Sequence, residues 1–74
     1  MKYFKTAQFV PGKGQAWMYS EASDELQVQR TLTHIPSTGE IARIPDPVVK
    51  MLFMPERLSP STQEEFEALW NQPS

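Results

Sequence analysis

The chain has 74 residues, no cysteine, one histidine and a net charge of −2, with 39% apolar and 22% charged residues. This is the composition of one small folded domain, and it excludes a disulfide scaffold, a thiolate metal site and a histidine-rich metal centre. No apolar run approaches the ~20 residues of a membrane span, and no basic start leads into the apolar stretch of a secretory signal, so a cytoplasmic chain with no membrane contact is expected.

Lys2 to Val10 contains Tyr3, Phe4, Thr6, Phe9 and Val10, aromatic and β-branched residues that favour a strand. Pro11-Gly12-Lys13-Gly14 is a turn signal, and Gln15 to Ser20 around Ala16-Trp17-Met18-Tyr19 predicts a return strand, closing a hairpin with a four-residue loop. Glu21-Ala22-Ser23-Asp24 interrupts the pattern as a polar break. From Glu25 the residues alternate with period two, which predicts a third strand. Leu26, Val28, Arg30, Leu32 and His34 are assigned to one of its faces, and Glu25, Gln27, Gln29, Thr31 and Thr33 to the other. Pro36-Ser37-Thr38-Gly39 is the next turn, and Glu40 to Ile44 a short strand that completes a second hairpin.

Asp46-Pro47 reads as an N-cap followed by a proline at the first helical position, with Val49, Leu52 and Phe53 at i, i+3, i+4, so a second short helix is expected near 47–54, with a buried strand as the rival. Leu58 to Asn71 predicts the main helix, started by Ser59 before Pro60 or by Ser61 with Glu64 in a capping box. Phe66, Leu69 and Trp70 form its apolar stripe, expected to pack on the sheet. The whole chain, 1–74, is thus expected to be a single α+β domain. Its antiparallel sheet of three to four strands, built from two hairpins in meander order, is covered by a C-terminal helix.

For chemistry the chain offers little. Gly12-Lys13-Gly14 lacks the spacing and the following helix of a phosphate loop, and Glu64, Glu65 and Glu67 fit the polar face of a helix. Arg30 stands out, since an arginine in an apolar strand pattern must snorkel to water, meet an acid, or face a cleft or partner. His34 has no second histidine to work with. No catalytic, cofactor or metal site is expected. A small core, no staples, and two Trp, two Tyr, four Phe and four Met point to association with another protein chain, a second copy or a larger complex. The expected function is that of a non-catalytic interaction protein, an accessory subunit or regulatory adaptor, with Trp17, Tyr19, Arg30, His34, Phe66, Leu69 and Trp70 as candidate surface residues. The alternative is a weak nucleic-acid binder using Lys2, Lys5, Lys13, Trp17 and Tyr19 of the first hairpin, a reading disfavoured by the acidic helix and a pI near 5.2.

Overall fold

Aromatic and β-branched residues build β1 (Lys2–Val10), and a tight turn at Pro11-Gly12-Lys13 returns the chain as β2 (Gly14–Ala22). The turn needs glycine: Gly12 and Gly14 hold φ of 82° and 97°, the left-handed region that other residues enter only with strain. β3 (Val28–Ile35) and β4 (Glu40–Ile44) form the second hairpin around the turn at 36–39. The computed structural model describes residues 1–47, 51 and 57–72. Ser59–Pro60 adds a two-residue strand, β5, and Gln63–Trp70 forms the helix α1.

The five strands lie in the order β4-β3-β2-β1-β5, each antiparallel to its neighbour. The α+β class and the four-strand meander agree with the sequence reading. The strand count does not, because β5 pairs with Phe4 and Lys5 at the outer edge of β1, where proline is tolerated. Of the span 47–54, residues 48–50 and 52–54 lie outside the described residues. Pro47 is buried without regular structure, and Met51 makes an isolated antiparallel bridge to Gln27, so no second helix is found among the described residues.

Register sets the two faces of the sheet. Lys5 lies opposite Tyr19, Tyr19 opposite Leu32 and Leu32 opposite Arg43, so these side chains share a face, together with the Tyr3–Glu21–Arg30 and Ala7–Trp17–His34–Ile41 rows. α1 packs on this face. Phe66 is fully buried with Tyr3, Tyr19, Leu32 and Ile41, and Trp17, Leu69 and Trp70 pack around them half-buried. The apolar stripe of α1 therefore meets its own sheet, as expected.

Three boundaries differ from the sequence reading by more than one residue. β2 runs on to Ala22, so Glu21, read as part of a polar break, is buried within a strand. β3 begins at Val28, and Glu21 pairs with Arg30 while Ala22 pairs with Val28, leaving Gln29 as the extra residue of a bulge. The bulge puts Val28 on the face opposite Arg30, and Leu26 lies in the preceding turn with φ 65°, so the single face assigned to Leu26, Val28 and Arg30 does not exist. α1 starts later than expected. Its N-cap is Thr62, whose hydroxyl accepts from the Glu65 amide at 3.1 Å, because Pro60 is in β5 and the Ser61 amide donates to the Tyr3 carbonyl at 2.9 Å.

Candidate functional site

Among the described residues, polar side chains gather in a row across three strands. Tyr3, Glu21 and Arg30 are direct cross-strand partners, and α1 closes over them. Arg30 grips the Glu21 carboxylate with two parallel bonds, Nε to Oε1 and Nη2 to Oε2, both 2.8 Å. Nη2 also reaches Oε1 of Glu67 on α1 at 2.5 Å, and the Tyr3 hydroxyl donates to Glu21 Oε2 at 2.6 Å. The guanidinium carbon lies 5.0 Å from the Phe66 ring centre and 4.7 Å from that of Trp70. The two rings are stacked at 15°, and Tyr3 tilts against Phe66 at 5.4 Å.

Electrostatics follow from this geometry. The Arg30 bonds hold the Glu21 carboxyl below its ordinary range, with the Tyr3 hydroxyl adding to the effect against the cost of burial. Burial first, then the bond to Glu21, pushes the Tyr3 phenol up to about 12. The same bond to Glu21 drives Arg30 further up. At neutral pH Glu21 is therefore a carboxylate and Tyr3 a neutral phenol, each bonded within the row.

A second arginine ties the sheet to the other end of α1. Arg43 Nε donates to the Trp70 carbonyl at 2.5 Å, and its Nη2 donates to the carbonyls of Leu69 (3.4 Å) and Gln72. The last turn of α1 carries no basic residue, so β4 supplies the cation that the helix C-terminus favours.

The candidate residues now have places. Arg30, Phe66 and Trp70 meet at the row, and Tyr19, with its phenol also raised by burial, lies in the core beside it. Leu69 packs against that core. Trp17 and His34 are direct partners one row farther along, both half-buried, with Lys5 Nζ 5.5 Å from the Trp17 ring. The basic residues of the first hairpin are partly committed: Lys5 is 3.5 Å from Glu65, and Lys13 is 2.5 Å from Glu40. Tyr3, Glu21 and Arg43 are not among the residues the sequence marks as candidates, and Glu67, read with Glu64 and Glu65 as the polar face of the helix, instead turns to the sheet and meets Arg30. Counting back from Val10 opposite Gly14 places Glu21 opposite Tyr3, a signal the hairpin carries once its turn is located.

Among the described residues no group of three or more His, Cys, Asp or Glu is placed to hold a metal ion, and no helix is long and apolar enough to cross a membrane. The sequence matches no protein-family model, and searches for similar curated proteins and for similar solved structures return no match.

Proposed function

We propose that this chain is a small non-catalytic interaction protein, an accessory subunit or regulatory adaptor. The observation that carries the reading is the use made of its ionisable groups. A tyrosine, two glutamates and an arginine lie together as they do in many active sites, yet each is spent on another member of the row or on α1. A general acid or base needs a proton to exchange with substrate and a pKa near the working pH. Here Glu21 is moved down and Tyr3 up, both away from neutrality. The row serves as a polar clasp between sheet and helix.

Apolar surface is left over where the clasp is not. Phe9 is 74% exposed at the far end of β1, and Ile44 and Met51 are also exposed. The alternative, nucleic-acid binding by the first hairpin, has less support because Lys5 and Lys13 lie against acids of this chain and Tyr19 is buried. The test is affinity purification of the tagged chain from its source cells at physiological salt. A second protein, or the untagged chain, recovered in stoichiometric amount is expected. Recovery of the tagged chain alone would contradict the reading.

A further inference from the structure

We propose that Thr6–Val10 of β1 is a docking edge for a second copy of this chain, paired antiparallel about a two-fold axis at Gln8. The proposal deepens the interaction reading and rests on it.

β1 is paired along its whole length with β2, but on its other side β5 covers only Phe4 and Lys5. Among the described residues no strand pairs with Thr6–Val10 on that side. The Ser61 amide donates to the Tyr3 carbonyl, so Tyr3 is a residue whose backbone groups point outward. The alternation of an antiparallel ladder then turns the backbone of Ala7 and Phe9 outward too, and that of Thr6, Gln8 and Val10 toward β2. Two N–H and two C=O groups thus face away from the sheet beside a phenylalanine that is 74% exposed.

Exposed edges are normally guarded by charge, proline or a bulge. The opposite edge, β4, has Glu40 and Arg43 among five residues, whereas Thr6-Ala7-Gln8-Phe9-Val10 has no charge at all. That neutrality suits a like edge. A charged peptide would find no counter-charge here, while a like edge meets it with no charge opposed or stranded. The register is also self-complementary. With Gln8 opposite Gln8 of the second copy, Ala7 lies opposite Phe9, and both turn their backbone groups outward, so each such pair exchanges two hydrogen bonds. Symmetry makes two such pairs, sets each Phe9 beside a small Ala7, and closes the assembly at two chains. The stretch that no strand pairs with among the described residues ends where this pairing must end: at Lys5, already held by β5, and at Pro11, which has no N–H to give.

Sedimentation velocity of the full chain from about 10 to 500 µM spans the range in which a short interface assembles. A dimer that grows with concentration is expected. Gln8 is exposed, so Gln8→Lys and Gln8→Glu should leave the dilute chain's melting temperature unchanged while setting like charges opposite each other at the axis. Each should weaken self-association roughly fivefold. An equimolar mixture of the two should associate at least as strongly as the unsubstituted chain, because the charges at the axis are then opposite. A monomer across the range, or a mixture no stronger than either variant alone, would overturn the proposal. If the chain stays monomeric but a second protein still co-purifies with it, self-pairing falls while the interaction reading stands.

Discussion

Arg30→Met tests the clasp most sharply, because methionine keeps most of the stem and removes the charge. Glu21 would keep its Tyr3 bond but lose both Arg30 bonds, with its side chain only 9% exposed. Breaking a buried ion pair by removing one partner costs about 3–5 kcal/mol, and the 24% exposure of Arg30 argues for the lower end, about 3. Two cation–π contacts add about 0.5–1 kcal/mol each, partly offset by sulfur–aromatic contacts of the new methionine. The expected loss is about 3–4 kcal/mol, a large share of the ~5–15 kcal/mol that holds a typical domain folded. Urea unfolding followed by far-ultraviolet circular dichroism and tryptophan fluorescence measures it. Glu21→Gln combined with Arg30→Met should lose less than the sum of the two single changes, because no buried charge is left stranded. A loss under about 1 kcal/mol for Arg30→Met, or strict additivity in the double variant, would show the pair to be an ordinary surface contact.

The other expectations follow from the same contacts. The depressed Glu21 carboxyl contributes stability above the ordinary carboxylate range, and this is lost as pH falls through its lowered value. The raised Tyr3 phenol contributes stability below pH 10 that is lost between 10 and about 12, by about 2–3 kcal/mol in all, so thermal melts should fall at both extremes. Arg43→Ala should cost about 1–2 kcal/mol and speed amide exchange in the last turn of α1, whose carbonyls it holds. Phe66→Ala should cost about 3–5 kcal/mol, because Phe66 is fully buried, and the half-buried Trp70 should cost less when changed to alanine. A Trp70→Ala melt below that of Phe66→Ala would reverse that ranking.

Where turn residues are dense, the sequence marks the fold well. β1 and β4 begin and end where expected, because Pro11-Gly12 and Pro36-Ser37-Thr38-Gly39 leave the chain few other ways to turn. Glu21 reads as a break because it opens the polar run Glu21-Ala22-Ser23-Asp24, and only its tertiary partners offset the cost of burial. Arg30 signalled its need for an acid, but its second carboxylate, Glu67, comes from a helix 37 residues away. The bulge at Gln29 has no local signal, since the alternation runs through it unbroken in the sequence. β5 is only two residues, one of them proline, and owes its existence to β1 alone. Ser61 and Thr62 are equally suited as helix caps. The choice falls to Thr62 because Ser61 is held by Tyr3 through its amide and by Glu65 through its hydroxyl.

Amide hydrogen exchange read residue by residue, in dilute and in concentrated solution, tests the use of the β1 edge most directly. The Gln8 amide faces β2 and should be protected at every concentration. The amides of Ala7 and Phe9 should exchange freely when dilute and become protected as concentration rises. Amides of Ala7 and Phe9 that exchange equally fast in dilute and concentrated solution would contradict the account.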